Sequence, residues 1–257
     1  MRRRYLPLAA LPALCCGLIA LAAGGFFAYN ALFIPHPAVV WDVDPNTLIL
    51  SVDTCCGMLY EPNGIPDARL WGDGQLIWLE YDSHGARRVL VDILSPDEIT
   101  NLLQSFVNAG FFGWKDYYEP SSPVYDAPSS CIQVNLKSES KSVCDLMGKP
   151  PRDFYELYDY VASGAGQLGG DYAPTSGYLS ATPSGPPTNT VPTLNWPAES
   201  LGLSLRDAAN GAWIEGESLA LAWRIVNANP SNPIVLEDDT FYSLILLIPD
   251  VTRQQPP

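Results

Sequence analysis

The side chains best suited to chemistry lie in one short acidic segment that is rich in tyrosine. Asp116, Tyr118, Glu119 and Asp126 occur there beside further tyrosines. Paired carboxylates supply the acid and base of glycoside chemistry, and tyrosines among acidic groups also suit the binding of sugar or peptide. We take these four residues as candidate ligand-binding residues and assign no catalytic residue. The alternative is an ordered surface loop whose tyrosines cover a sheet.

Four cysteines lie outside the apolar N-terminus: Cys55, Cys56, Cys131 and Cys144. An even number in an exported chain indicates disulfides. Two strand-like runs carry Cys131 and Cys144 on either side of a polar stretch, and a tight turn at 137–138 would make them face each other at bridging distance. Cys55 and Cys56 either bridge each other or leave one buried thiol, and a crossed pairing with the hairpin stays open. A reactive pair here would make the protein a thiol-redox protein.

Composition argues against several classes of protein. The 257-residue chain has a net charge of −14, which makes nucleic acid a poor partner because phosphate binding needs basic patches. Two histidines are too few for most His-based metal sites, so we expect no metal and no cofactor. No serine-hydrolase elbow, zinc-protease helix, phosphate-binding loop or dinucleotide fingerprint occurs. Binding or scaffolding is therefore favoured over catalysis.

The first 34 residues predict a location at the cell membrane. Arg2, Arg3 and Arg4 precede an uncharged stretch over residues 5–34. A membrane-spanning helix needs about 20 apolar residues, and the arginines place the N-terminus in the cytoplasm. We expect a single-pass anchor whose C-terminal part lies outside the cytoplasm, with another membrane or envelope protein as partner. A cleaved signal peptide, or lipid attachment at Cys15 or Cys16, is the alternative.

The chain after the anchor predicts an α+β fold that begins with an antiparallel meander. Its strands are expected at Thr47–Val52, Ala68–Trp71, Gln75–Tyr81 and Arg87–Ile93. The Asp73-Gly74 pair is a hairpin signature, and Ser95 with Glu98 forms a capping box at the start of a helix. A second helix is expected over Arg152–Ala162. Both helices should pack on the meander.

A change in composition at residue 164 predicts a boundary. Residues 164–195 are rich in Gly, Pro, Ser and Thr, which indicates a linker. Apolar runs then predict a small all-β unit with strands at Gly202–Leu205, Ala212–Ile214, Ser218–Val226 and Thr240–Ile248, the last of them central. The predicted organisation is an anchor (1–35), an exported α+β domain (36–163), a linker (164–195) and a β domain (196–257).

The order of motifs over residues 46–163 resembles an uncharacterised bacterial family of exported or lipid-anchored proteins, classified as a domain of unknown function. The matching positions are Cys55, Gly57, Asp73-Gly74, Ser95, Phe111-Phe112, Asp116, Tyr118, Asp126 and Pro128. Leu59 and Tyr60 replace a second cysteine and its proline, and Cys56 is additional. The resemblance implies a compact α+β domain and export, and it brings no catalytic residue.

The favoured hypothesis is a membrane-tethered, extracytoplasmic binding or scaffold module. The first alternative is an exported hydrolase that uses carboxylates on envelope sugar or peptide. The second alternative is the thiol-redox protein.

Overall fold

In the part of the chain that it describes, the computed structural model has two β-sheets and five α-helices. The first sheet has eight strands and the second has five. The described residues are 39–55, 65–122, 124–187 and 193–253, without the side chains of Cys55 and Thr252. The predicted α+β class is confirmed for these residues. The predicted anchor (1–35) and Cys56 lie outside them.

The elements follow one another in mixed order along the chain. The strands are β1 (Leu48–Cys55), β2 (Ala68–Trp71), β3 (Gln75–Tyr81), β4 (Arg87–Ile93), β5 (Tyr117–Tyr118), β6 (Ser129–Asn135), β7 (Ser140–Asp145), β8 (Gly170–Asp171), β9 (Gly177–Ser184), β10 (Leu194–Asn195), β11 (Ala212–Ile214), β12 (Ile234–Glu237) and β13 (Thr240–Leu247). The helices are α1 (Pro96–Asn108), α2 (Asp153–Ala162), α3 (Ala198–Leu201), α4 (Gly216–Ala228) and α5 (Pro249–Thr252), with 3₁₀ turns at Phe111–Gly113 and Asp207–Asn210.

Two sheets organise these strands. The first has the order β5-β7-β6-β1-β2-β3-β4-β8, and the second has the order β10-β12-β13-β9-β11. The pairs β5–β7 and β10–β12 are parallel, and the remaining neighbours are antiparallel. The first sheet is therefore bounded by two short edge strands, β5 and β8.

The predicted meander is confirmed, since β2, β3 and β4 are consecutive antiparallel neighbours. Its first turn depends on Gly74, which has φ 88° and donates its N–H to Trp71 O at 2.9 Å. A Cβ at this position would lie 2.5 Å from Leu94 O. Only glycine fits both the left-handed conformation and this close approach.

Both predicted helices are also present. Helix α1 begins at the predicted capping box, where Glu98 Oε2 accepts from Ser95 N at 2.8 Å and Ser95 Oγ accepts from Glu98 N at 3.4 Å. Its apolar stripe and that of α2 enter one core with the first sheet. The helix period of the apolar residues therefore predicted the buried faces correctly.

Strand β3 is buried on both faces and connects two cores. Leu76 and Trp78 belong to the core that contains α1 and α2, whereas Ile77 and Leu79 belong to a second core with α4 and the second sheet. Successive side chains of a strand point to opposite faces. The unbroken apolar run Leu76–Leu79 is thus the pattern of a strand that is covered twice.

The segment predicted to be a linker, residues 164–195, contributes β8, β9 and β10, so this prediction is wrong. Its glycines serve packing. A Cβ on Gly164 or Gly169 would lie 2.6 Å or 2.2 Å from the ring of Trp78, and both glycines have positive φ. The chain can pass this close to the indole only because the two side chains are missing.

Strand β9 lies between β13 and β11 and was missed because few of its residues are large and apolar. Gly177, Leu179 and Ala181 alternate toward the core, where Leu179 is 0% exposed. Its neighbour β13 matches the central strand predicted at Thr240–Ile248, and that prediction is confirmed.

Residues 218–226, predicted as a strand, belong to helix α4, so the C-terminal part is not all-β. A short apolar run does not distinguish a strand from a buried helix. Leu219, Ala222 and Val226 are buried at helical spacing. Residues 202–205, also predicted as a strand, form an irregular turn in which Leu205 N donates to the buried Glu237 at 3.0 Å.

The described residues from Val39 onward belong to one compact unit. Within the same residues, every helix is too short or too polar to span a bilayer.

Two leucines from the predicted linker test its role in the core. Leu179→Ala should lower the free energy of unfolding by about 2–5 kcal/mol because it opens a cavity between packed layers. Leu168 is 94% exposed, so Leu168→Ala should change it by less than about 0.5 kcal/mol. Urea unfolding of the whole chain in detergent, followed by tryptophan fluorescence, measures both. Equal midpoints for the two variants would contradict the observed packing of β9.

Candidate ligand-binding cleft

Strand β5 carries the predicted acidic, tyrosine-rich segment to the edge of the first sheet. Cys144 N donates to Asp116 O at 2.8 Å and Leu146 N donates to Tyr118 O at 2.9 Å, which fixes β5 against β7. Tyr118 is half-buried, and its hydroxyl accepts from Lys115 N at 3.1 Å. Tyr117, between these anchor points, is 62% exposed.

A buried carboxylate organises the turn that faces β5. Asp145 ends β7 and is 3% exposed, and its Oδ1 accepts from Gly148 N at 2.7 Å. Its Oδ2 accepts from the Tyr155 hydroxyl of α2. Burial and this hydrogen bond raise the pKa of Tyr155 to about 12, so the phenol remains a donor near neutral pH. The turn is therefore held from two sides.

Close backbone packing brings this turn against β5. A Cβ on Gly148 would lie 2.5 Å from the carbonyl carbon and oxygen of Tyr118, so glycine is required. Met147, the residue before it, has φ 62° and is 58% exposed. Such strain in a non-glycine residue persists only where the surroundings enforce it. The turn thus projects the Met147 side chain outward.

Between β5 and the turn lies a cleft of about 450 Å³. It is lined by Lys115, Tyr117, Tyr118, Glu119, Pro120, Ser121, Met147, Gly148 and Lys149. The volume falls within the range of small-ligand sites. We refer to it as the β5 cleft.

The structure divides the four predicted site residues. Tyr118 and Glu119 line the β5 cleft. Asp116 does not; its carboxylate forms an ion pair with Lys141 on β7. Asp126 lies exposed in a loop with φ 55°, away from the cleft lining. Only one carboxylate of the predicted set therefore reaches the cleft.

The predicted disulfide is present: Cys131 and Cys144 are bonded across directly facing positions of β6 and β7. The turn between the strands is tight, with Leu136 N donating to Glu139 O at 2.8 Å. The side chain of Cys55 and all of Cys56 lie outside the described residues. The thiol-redox hypothesis therefore stays a prediction.

A second polar cluster, not predicted from the sequence, lies where β1 ends and β2 begins. Thr54 Oγ1 donates to Asp67 Oδ2 at 2.9 Å, and the Tyr158 hydroxyl of α2 donates to the same oxygen. Asp53 and Arg69 lie beside this group, half-buried. We refer to these five residues as the Asp53 cluster. Four of them are visible in the sequence as polar residues in or beside apolar strands, but only the β1–β2 register brings these four together, and α2 adds Tyr158.

Partial burial changes the pKa values of two members of the Asp53 cluster, Asp53 and Arg69. Burial first, and then the charge of Asp67, raise the pKa of Asp53 to about 6, against the opposing charge of Arg69. Burial lowers the pKa of Arg69, and its buried Nε has no hydrogen-bond partner among the described residues. A carboxyl group whose pKa is raised toward neutral pH, with a second carboxyl group beside it, is a recurring feature of acid–base sites.

In the described part of the chain, no group of three or more His, Cys, Asp or Glu side chains is placed to hold a metal ion. Comparison with family models, curated proteins and solved structures finds no match to this chain. The β5 cleft and the Asp53 cluster are the candidate functional sites among the described residues.

The raised pKa of Asp53 predicts a pH-dependent stability. The Asp53 carboxyl group binds its proton more tightly in the folded state than in the unfolded chain, where its pKa is near 3.8. The stabilisation that this proton gives to the folded state is therefore complete below about pH 4 and is lost as the pH rises through about 6. Relative to Asp53→Asn, the free energy of unfolding of the wild type should fall by about 1–2 kcal/mol across this pH interval. This value allows for the screening of a partly exposed group by solvent.

Urea unfolding of the whole chain at pH 4, 5, 6 and 7.5 measures this difference. The control is Asp126→Asn, which removes the same charge from an exposed loop and should run parallel to the wild type. A constant difference between wild type and Asp53→Asn over this pH range would contradict the raised pKa.

Proposed function

We propose that the protein is a membrane-tethered, extracytoplasmic binding or scaffold module, anchored through residues 5–34, with the β5 cleft as its ligand site. The supporting observation is that Tyr117 and Met147 stand exposed on a frame fixed by the buried Asp145. Aromatic and methionine side chains are enriched where proteins bind partners. The expected partner is another membrane or envelope protein. We include in this proposal that residues 46–163 belong to the exported domain family that their motifs resemble.

Binding is favoured over catalysis at the β5 cleft because the cleft lacks a pair of carboxylates among the described residues. Glycosidases use a pair of carboxyl groups that flank the bond to be cleaved. Here Glu119 is the one carboxylate that lines the cleft among the described residues. Asp116 is neutralised by Lys141. A binding surface needs no such pair.

Site-specific photo-crosslinking tests the proposed site. A benzophenone amino acid replaces Tyr117 in the whole chain, in membranes of the cells that express it. The matched control replaces Tyr160, which is 47% exposed on α2 and does not line the cleft. A defined adduct is expected from position 117 and none from position 160, because a ligand in the cleft would lie against the first ring only.

A second substitution distinguishes binding in the cleft from nonspecific crosslinking. Gly148→Ala places a Cβ against the backbone of Tyr118 and should distort the cleft, so the adduct at position 117 should weaken severalfold. Gly113→Ala, where a Cβ meets no atom within 4 Å, should leave it unchanged. Equal adducts at positions 117 and 160, or none at 117, would refute the proposal.

A second candidate function is an exported hydrolase that uses carboxylates on envelope sugar or peptide. It is favoured by the Asp53 cluster, in which burial raises the pKa of Asp53 to about 6 beside Asp67. A carboxyl group with a raised pKa beside a second carboxyl group resembles the pair of acids that such enzymes use.

Turnover of a peptidoglycan suspension by the whole chain tests this candidate. If it is a hydrolase, Asp53→Asn should reduce turnover at least a hundredfold, in the range of lost general acid catalysis. Asp116→Asn, which removes an exposed carboxylate outside the cluster, should retain it. Lack of turnover by the wild type, or equal loss in both variants, would count against the hydrolase.

A further inference from the structure

We propose that the β5 cleft binds an extended peptide segment that carries acidic side chains. This inference rests on the proposed function, because it names the ligand of the same site. It follows from the open edge of β5 and from the charges that line the cleft.

The main chain of β5 has an unused side. The strand is at the end of the first sheet, and its bonds to β7 involve Asp116 O and Tyr118 O. In a parallel ladder, alternate residues turn their N–H and C=O groups to opposite sides. The N–H and C=O of Tyr117 therefore face the open edge, where no described residue pairs with them. An extended peptide can pair with such an edge.

The cleft lining is locally basic in an acidic protein. Lys115 and Lys149 are both exposed at the cleft, and neither forms an ion pair with a described residue. Among the described residues that line the cleft, Glu119 is the one with an acidic side chain. The adjacent Asp116 is already paired with Lys141 and adds no net charge. An acidic ligand thus meets two unpaired ammonium groups.

The charge of the whole chain does not outweigh these two lysines. The net charge of −14 would repel an acidic ligand at long range. At physiological ionic strength the screening length is about 8 Å, so groups that line the cleft dominate. Exposed ion pairs are individually weak. Two of them together account for a change in affinity of about two- to thirtyfold.

The same features argue against other occupants. A second copy of this chain would carry the same net charge of −14, so the acidic surfaces of the two copies would repel each other where they meet. An acidic oligosaccharide would satisfy the lysines, but it lacks the alternating N–H and C=O groups that match Tyr117. Exposed Tyr117 and Met147 flank the edge and can cover the apolar parts of alternate peptide side chains.

The experiment measures fluorescence anisotropy of a labelled hexapeptide of alternating Glu and Thr, with the whole chain in neutral detergent micelles. Thr is included because β-branched residues favour the extended form. A matched peptide with Gln in place of Glu and an oligogalacturonate of similar charge are compared. The acidic peptide should bind at least fivefold tighter than either.

Protein variants then assign the effect to the cleft. The double variant Lys115→Gln and Lys149→Gln should weaken binding of the acidic peptide about tenfold, and Glu119→Gln should strengthen it two- to fivefold. Lys137→Gln, which changes an exposed lysine in the β6–β7 turn, should have no effect. Retained melting temperatures establish that the variants are folded.

The outcomes separate this inference from the proposed function. Equal binding of the Glu and Gln peptides, tighter binding of oligogalacturonate, or an unchanged affinity of the double variant would each overturn the inference. If position 117 still forms a defined crosslink, the proposed function stands and the ligand has another chemistry. If that crosslink also fails, both are wrong.

Discussion

The burial of strand β3 on both faces is the constraint on which the rest of the described structure depends. Trp78 and Ile77 are neighbours in sequence, yet they enter different cores. A layer must therefore cover each side of the first sheet at this strand. Helices α1 and α2 cover one side, and α4 with the second sheet covers the other. The chain after α2 consequently returns to the first sheet, where Gly164 and Gly169 pass over the Trp78 indole.

Buried and half-buried carboxyl groups bonded to neutral donors hold the irregular segments in place. Asp145 fixes the turn that faces β5, and Glu237 accepts from Leu205 N in the loop before β11. Asp67 accepts hydrogen bonds from the hydroxyl groups of Thr54 and Tyr158 and so joins α2 to the end of β1. Hydrogen bonds to charged groups are stronger than those between neutral groups. Some acidic residues of this chain therefore stabilise the fold, in addition to those that supply surface charge.

Local patterns predicted the first half of the fold well and the second half poorly. The capping box at Ser95, the hairpin at Asp73-Gly74 and the Cys131–Cys144 pairing depend on residues close in sequence, and all three are present. Strand β9 and helix α4 were misassigned because their burial depends on partners far along the chain. Of the predicted site, Tyr118 and Glu119 share a cleft, but their other lining residues come from the turn after β7.

The sequence by itself determined the elements whose signals are local: the α+β class, the first helices, the meander and the disulfide hairpin. Only the tertiary structure decided that the glycine-rich segment belongs to the core, since the reason is the Trp78 indole about ninety residues earlier along the chain. It also decided which acids meet: the β1–β2 register brings Asp53 to Asp67, whereas Asp116 is directed to Lys141. Strand pairing sets these distances, and neither composition nor spacing in the sequence contains it.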